Sequence, residues 1–186
     1  MTIEVNGLKP VNVGIVGFGT VGSGTFNVIT RNATDIARRA GRAIQITHIG
    51  ARRDNAAADT AAYKVSRDIF EVVKDPEVDI VVELIGGITT ARDVVMQAIE
   101  SGKHVVTANK ALIAEHGNEI FAAAHEKGVN VAFEAAVAGG IPIIKAIREG
   151  LSANSIKWVA GIINGTGNFI LTEMRDKGRD FEDVLQ

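Results

Sequence analysis

The amino-acid sequence predicts an α/β protein, in which a parallel sheet carries helices on both faces. Short β-rich runs alternate with longer stretches of helical periodicity, the order expected of parallel strands joined by crossover helices. Residues 79–85 are almost continuously apolar, as is typical of a strand buried on both faces. A glycine-rich turn at residues 17–22 separates the first predicted strand from the first predicted helix. These three observations together favour a parallel, doubly covered sheet.

The first part of the chain supplies the predicted sheet and its covering helices. Strands are predicted at residues 11–16, 44–50, 79–85, 104–107 and 129–134. Helical periodicity covers residues 21–37, 65–74, 90–101 and 112–127. Gly102 and Gly128 follow the last two helices, where glycine commonly ends a helix.

The pattern changes at Gly139 and Gly140. Pro142 suits the first turn of a new helix that ends near residue 150. A strand at residues 155–163, a helix at 168–177 and the opening of another helix at 181–186 complete the predicted elements. We therefore expect two domains: residues 1–138 contain the sheet, and residues 139–186 begin a second domain of the α+β class.

Composition excludes several classes of function. A hydrophobic fraction of 46% and a charged fraction of 23% are those of a soluble globular protein. The net charge of -2 gives no reason to expect nucleic acid or an anionic membrane as partner. The absence of cysteine excludes disulfides and thiolate chemistry, and fits a reducing cytoplasm. We expect a cytoplasmic protein.

The glycine-rich turn is the most informative motif. It has the form G-x-G-x-x-G and consists of Gly17, Phe18, Gly19, Thr20, Val21 and Gly22. In such a turn the first glycine permits the tight bend, the second lets the backbone approach a pyrophosphate, and the third packs helix against strand. Its position between a strand and a helix favours a Rossmann-type dinucleotide site over a ligand-free turn.

The end of the second predicted strand bears on the choice of cofactor. An acidic residue there usually binds the ribose of NAD, whereas an arginine accommodates the additional phosphate of NADP. Here Arg52 and Arg53 come first and Asp54 follows. The arginines favour NADP over NAD, although ordinary surface arginines with Asp54 in the acidic role remain the alternative.

Four further segments extend the pattern. Their sequences are DIVVELIGG at 79–87, KHVVTANK at 103–110, FEAAVAGGIP at 133–142 and GIINGTGNF at 161–169. With the glycine turn, and in this order and spacing, they resemble the homoserine dehydrogenase family. The resemblance runs from residue 11 onward. It implies a reaction that interconverts L-homoserine and L-aspartate 4-semialdehyde with NADP or NAD, on the route to threonine, methionine and isoleucine.

The same resemblance implies roles for individual residues. Phe18, Thr20 and Val21 would belong to the cofactor turn, and Arg52 would approach the adenosine ribose or its phosphate. Lys110 would act at the nicotinamide end. A monovalent cation, commonly Na⁺, would be bound by carbonyl oxygens. The residues that carry them are Glu134, Val137, Gly139 and Ile141.

Residue chemistry supports part of this assignment. Thr107, Asn109 and Lys110 follow a predicted parallel strand, and ligands of open α/β sheets bind outside the carboxyl ends of strands. We therefore expect Thr107 and Lys110 to contact the cofactor. A lysine there would stabilise a developing alkoxide. The alternative is a surface lysine that begins a helix. Glu83, within an apolar strand, would either face the crevice or be a structural acid with its hydrogen bonds satisfied.

The resemblance also implies which catalytic residues of the family these 186 residues include. The family's substrate-binding acids and proton-transfer lysine would follow Gln186, so we expect these 186 residues to bind cofactor with little or no turnover. The full-length protein is expected to be a homo-oligomer. Two alternatives are a non-catalytic NAD(P)-binding module and another Rossmann oxidoreductase that acts on a small aldehyde.

Overall fold

A computed structural model of the protein describes residues 7–162 and 164–185. Within these ranges, six parallel strands form one sheet in the order β3-β2-β1-β4-β5-β6. The strands are β1 Val11–Val16, β2 Ile44–Gly50, β3 Lys64–Ser66, β4 Ile80–Glu83, β5 His104–Thr107 and β6 Val131–Ala132. The predicted α/β class with a Rossmann-type parallel sheet is therefore confirmed. The strand order reverses between β1 and β4, which opens a crevice at the carboxyl ends of those strands.

Helices lie between most of the strands and also follow the last strand. They are α1 Thr20–Arg31, α2 Ala33–Ala40, α3 Phe70–Lys74, α4 Thr89–Glu100, α5 Lys110–Lys127, α6 Ile143–Lys145, α7 Gly165–Lys177 and α8 Phe181–Val184. A 3-10 turn covers Glu134–Ala136, and α6 continues into a π-helical turn at Ala146–Gly150. Local chemistry sets the ends of α5, because Asn109 caps its amino terminus and Gly128 ends it at φ +67°.

Two apolar clusters bury the two faces of the sheet. On one face, Val81 and Val105 pack with α4 and α5 through side chains such as Val94 and Leu112. On the other face, Ile15 packs with Phe26 of α1 and with neighbouring strand residues. Burial on both faces explains why the central strands are nearly continuous apolar runs.

Contacts divide the chain into two units, Met1–Ile144 and Lys145–Gln186. The first contains the whole sheet. Within the second, Glu173 of α7 binds Lys177 at 2.8 Å and Arg179 at 3.3 Å. None of the helices in the two described ranges is long and apolar enough to cross a membrane.

Three predicted elements are wrong in extent. Residues 65–74 do not form one helix, because Lys64–Ser66 pairs with β2 as an edge strand and α3 begins only at Phe70. The helix predicted from residue 21 to residue 37 breaks at Asn32 into α1 and α2. The strand predicted at 129–134 is reduced to Val131–Ala132, which is the part that pairs with β5.

The strand predicted at residues 155–163 is absent from its described part, residues 155–162, whereas Ile163 lies outside the described residues. The segment has apolar residues suited to a strand, yet Trp158 is 78% exposed and Ile162 is 81% exposed. A strand requires a hydrogen-bonding neighbour, and no described strand pairs with this segment. Sequence preference alone does not create the pairing.

Candidate functional site

The fold itself requires two glycines of the turn after β1. Gly17 has φ +94°, and a Cβ atom there would lie 2.6 Å from the backbone carbonyl of Leu84. At Gly22, a Cβ atom would lie 2.1 Å from the carbonyl oxygen of Gly17. The turn is also tied to β2, since the Gly17 amide donates to the Gly50 carbonyl at 3.0 Å. Any larger residue at either glycine would displace backbone.

The middle glycine of the motif has no such constraint. Gly19 has φ -80°, which any residue adopts, and a Cβ atom there would meet nothing within 4 Å. Gly19, Thr20 and Val21 are exposed. The structure describes every residue of α1, and the first turn of this helix has no acidic side chain. Helix amino termini with free amides attract anions. The open space at Gly19 is therefore suited to a phosphate group that must approach the backbone.

Phe18 holds this turn against the core. Its side chain is 8% exposed and meets Phe26 edge to face, with ring centroids 5.6 Å apart. Phe18 therefore offers a ligand its backbone, while its ring anchors the turn. Asn55 adds a second restraint, because its Nδ2 donates to the Phe18 carbonyl at 3.0 Å. The sequence analysis did not predict a role for Asn55, because no local sequence pattern indicates a hydrogen bond to a residue this distant in the chain.

A cleft lies against this turn, with a volume of about 460 Å³. Its lining comprises Gly17, Phe18, Gly19, Gly50, Ala51, Arg52, Arg53, Asp54, Asn55, Ile69, Leu84 and Ile85. These residues include the exits of β1, β2 and β4, where open α/β sheets bind their ligands. The volume lies within the range of small-molecule and cofactor sites.

The cleft is positively charged on the side of β2. Arg52 and Arg53 are exposed, and neither forms an ion pair with any residue that the structure describes. Asp54 is already paired, since its Oδ1 lies 2.6 Å from Nη2 of Arg67. Arg67 also donates to the Ala51 carbonyl at 3.2 Å. The arginines are thus available to an anion, whereas the acidic alternative, Asp54, has a cationic partner.

Thr107 and Lys110 stand at the carboxyl end of β5 and do not line the 460 Å³ cleft. Thr107 has no exposed surface, and its hydroxyl donates to Glu83 Oε2 at 2.6 Å. Lys110 is exposed as the first residue of α5 and has no ion-pair partner in the described ranges. Glu83 also accepts from the Ile85 amide at 2.9 Å, so it is the satisfied structural acid of the two alternatives.

The segment expected to bind a cation forms a tight turn. Ala138 has φ +46° and Gly140 has φ +87°, both in the left-handed region. Two of the four expected carbonyls already accept backbone hydrogen bonds: Glu134 from Val137 at 3.3 Å, and Ile141 from Ile143 at 2.8 Å. No group of three or more acidic or histidine side chains capable of holding a metal occurs in the described chain. Backbone oxygens are thus the ligands that a cation would find here.

A second polar group of residues, the Asp75 cluster, joins β2 and β3 to the segments that precede β4 and β5. It comprises His48, Lys64, Ser66, Asp75 and Lys103. Asp75 Oδ2 binds His48 Nδ1 at 2.7 Å and Lys64 Nζ at 2.8 Å, and His48 Nε2 lies 2.8 Å from Ser66 Oγ. Lys103 Nζ donates to the Asp75 carbonyl at 2.6 Å and the Val78 carbonyl at 2.7 Å.

The charges of this cluster perturb one another. Burial acts most strongly on Asp75 and would raise its pKa. Hydrogen bonds from Lys64, the Glu77 amide and His48 outweigh burial and lower that pKa from 3.8 to about 2. Burial lowers the pKa of Lys103. The cluster therefore consists of groups that have partners within the protein, and of its two lysines Lys103 is buried whereas the Lys64 side chain is 61% exposed.

Comparison with known proteins identifies the family. A model of the homoserine dehydrogenase NAD-binding domain matches residues 17–134, and a homoserine dehydrogenase model matches residues 142–186. A homoserine dehydrogenase of Pseudomonas aeruginosa is 71% identical over 178 residues, which are 96% of this chain and 41% of that protein.

Solved structures agree. The crystal structure of a homoserine dehydrogenase from Thiobacillus denitrificans is similar with a TM-score of 0.88 at 63% identity, covering 95% of this chain and 41% of that one. A hyperthermophilic archaeal homoserine dehydrogenase in complex with NADPH has a TM-score of 0.78 at 27% identity, covering 95% and 60%. The chain thus spans about 41% of the Pseudomonas and Thiobacillus relatives. Since the first family model alone matches more than half of its residues, the chain belongs to the homoserine dehydrogenase family.

Proposed function

We propose that this chain provides the cofactor-binding part of an enzyme that interconverts L-homoserine and L-aspartate 4-semialdehyde, on the route to threonine, methionine and isoleucine. One observation carries the proposal: Gly19 faces open space in a cleft at the carboxyl ends of the strands, although the fold does not require glycine there. A ligand whose phosphates approach the backbone explains this glycine. The names of the relatives supply the reaction.

The residues of the cleft suggest how the cofactor is oriented. The amides from Gly17 to Gly22 and the amino terminus of α1 would hold the pyrophosphate, and Arg52 would face the adenosine ribose. The nicotinamide would then extend towards the exits of β4 and β5, near Thr107 and Lys110. When bound, the nicotinamide supplies hydride chemistry at the alcohol carbon of the substrate.

The charge of the cleft supports NADP as the preferred cofactor. Arg52 and Arg53 have no partner among the described residues, and Asp54 is paired with Arg67 at 2.6 Å. A guanidinium pairs well with a phosphate in a forked, charge-assisted contact. The archaeal relative solved with NADPH fits the same preference.

Lys110 would act at the reacting end of the site. Its ammonium group is exposed at the start of α5, and no described residue neutralises it. A preorganised cation is most effective where negative charge develops, here on the substrate oxygen as the hydride is transferred. We therefore assign Lys110 the role of stabilising that oxygen.

The turn after β6 would bind a monovalent cation such as Na⁺. The carbonyl oxygens of Glu134, Val137, Gly139 and Ile141 would be its ligands, because hard cations prefer oxygen. Left-handed backbone at Ala138 and Gly140 supports this assignment, since it bends the segment sharply.

The remaining assignments concern the whole protein. Residues 1–138 would form the cofactor domain and residues 139–186 would begin the substrate domain. The complete enzyme would be a cytoplasmic homo-oligomer with small-molecule substrates and no nucleic-acid or membrane partner.

The test is an assay of the complete protein with homoserine and NADP⁺, followed by the absorbance of the NADPH formed. Parallel reactions with other small hydroxy acids serve as controls. We expect turnover with homoserine alone. NADPH binding without turnover of any substrate would instead indicate a binding module, and preference for another hydroxy acid would indicate a different oxidoreductase.

A further inference from the structure

One buried side chain joins the exits of two neighbouring strands. Glu83 ends β4, and its register partner Thr107 ends β5; neither has exposed surface. Thr107 Oγ1 donates to Glu83 Oε2 at 2.6 Å, and the Ile85 amide donates to Oε1 at 2.9 Å. Glu83 therefore holds the loop after its own strand and the end of the next strand at the same time.

The hydrogen bonds continue to the start of α5. The Asn109 amide donates to Thr107 Oγ1 at 3.0 Å, and Asn109 Nδ2 donates to the Gly87 carbonyl at 2.6 Å. Asn109 Oδ1 accepts from the Leu112 amide at 3.1 Å and so caps the helix. We call these linked groups the Glu83 network. It ties the loop after β4 to the helix whose first residue is Lys110.

The same network borders the proposed cofactor cleft. Leu84 and Ile85, which directly follow Glu83, line the cleft. The Leu84 amide donates to the Val16 carbonyl at 2.7 Å, and a Cβ atom on Gly17 would lie 2.6 Å from Leu84. A shift of residues 84–85 would therefore also displace the glycine turn.

Fold stability alone does not explain an acid at this position. The other three residues of β4 are apolar, and burying a carboxylate costs free energy that its hydrogen bonds must offset. An apolar side chain of similar volume often serves a buried site equally well or better. What an apolar residue would lose is the simultaneous hold on Thr107 and Ile85.

We propose that Glu83 is a positioning residue for hydride transfer. It fixes the exit of β4 against the exit of β5, and thereby holds Lys110 and the nicotinamide end of the cleft in their reactive geometry, without touching cofactor or substrate. The inference rests on the proposed function, because the geometry it maintains is that of homoserine oxidation.

Three variants of the complete protein test the role. Glu83→Gln keeps the volume and replaces one acceptor oxygen with a donor. Thr107→Val removes the hydroxyl that Glu83 binds, whereas Thr107→Ser keeps it and is the matched control. Thermal melting checks that each variant folds, and the Thr107 pair decides the matter if Glu83→Gln does not fold.

We expect Thr107→Val and Glu83→Gln to lower kcat for homoserine oxidation by about 10²-fold, the scale of a misplacement of roughly 1 Å. Their Kd for NADPH should change far less. The deuterium isotope effect on kcat, measured with homoserine deuterated at its alcohol carbon, should rise because hydride transfer becomes slower. Thr107→Ser should recover most of the turnover. Hydrogen exchange should increase in residues 84–88 of Thr107→Val, although the substitution lies in another strand.

If Thr107→Val has the same kcat and the same isotope effect as the wild-type protein, the proposal is overturned. A loss of NADPH affinity as large as the loss of kcat would overturn it as well, because binding and not positioning would then be affected. If the wild-type protein fails to oxidise homoserine, the proposed function fails separately. The Glu83 network is then judged by hydrogen exchange, and unchanged exchange in residues 84–88 of Thr107→Val refutes it.

Discussion

Two polar regions of the same sheet differ in how their charges are partnered. At the carboxyl ends of the strands, Arg52, Arg53 and Lys110 are exposed and make no ion pair with any described residue. In the Asp75 cluster, the Asp75 carboxylate binds both a histidine and a lysine, and Lys103 is 6% exposed with two carbonyl partners. Charged groups that have partners within the fold are engaged there, whereas charged groups without partners remain available to a ligand.

The three glycines of the turn after β1 also differ in whether the fold or a ligand requires them. Gly17 and Gly22 have neighbours that exclude a side chain, so they serve the fold. Gly19 has no neighbour within 4 Å and adopts an ordinary backbone conformation, so we assign it to the ligand. Substitutions in the two regions should therefore separate cofactor binding from stability.

The largest effect is expected for Gly19→Val. The added side chain would occupy the space that the pyrophosphate needs, so NADPH binding should disappear while the melting temperature stays close to that of the wild type. Calorimetric titration measures the binding. The matched control is Gly24→Val, another site in α1 with nothing within 4 Å of its Cβ position, which should keep its affinity. Unchanged NADPH affinity in Gly19→Val would remove the glycine turn from the cofactor site.

Lys110→Ala should have the next largest effect, on turnover. Loss of one preorganised donor at a developing oxyanion typically lowers kcat by about 10²–10³-fold. Steady-state kinetics of the complete protein measure it, and Lys127→Ala, at the other end of the same helix, is the control. A normal kcat with a raised KM for the cofactor would make Lys110 a binding residue instead.

In the Asp75 cluster the expected effect is on stability. The Asp75 side chain is 8% exposed, and lowering its pKa from 3.8 to about 2 corresponds to about 2 kcal/mol. Because the folded pKa is the lower one, this stabilisation is present above pH 4 and is lost as the pH falls towards 2. Asp75→Asn should therefore lower the free energy of unfolding at pH 7 by about 2 kcal/mol.

Urea denaturation at several pH values measures this effect. Above pH 4 the difference between wild type and Asp75→Asn should be constant, and it should shrink towards pH 2. The exposed Asp35, 3.1 Å from Arg38 on α2, provides the control Asp35→Asn, which should change stability little. Equal losses in the two variants would contradict the contrast between partnered and exposed charges.

The smallest effect is expected for Arg52→Ala. Loss of one charge-assisted contact at an exposed site should weaken NADPH binding by about tenfold and leave NADH binding nearly unchanged. Fluorescence titration with both cofactors measures the ratio, and Arg39→Ala on α2 is the control. If wild type and Arg52→Ala bind the two cofactors equally, Arg52 does not recognise the phosphate.

Local patterns predicted much of this arrangement. Four of the six predicted strands formed close to their expected positions, and the glycine turn lies between β1 and α1, because strand burial and turn chemistry depend on short sequence segments. Lys110 stands at a strand exit for the same reason. The sequence did not distinguish the two alternatives for Glu83, because the partners of its side chain depend on the register between β4 and β5. The pairing of Asp54 with Arg67 and the missing strand at 155–162 likewise depend on which distant segments meet.

The most direct test of the account is an NMR titration of the ¹⁵N-labelled 186-residue chain with NADPH, in which amide shifts are followed residue by residue. We predict the largest shifts in residues 17–22 and 51–55, with smaller ones at 84–85 and 107–110, and none around His48 and Asp75. Shifts concentrated in the Asp75 cluster, or no shifts at saturating NADPH, would contradict the central claim that the unpartnered carboxyl-end cleft is the cofactor site.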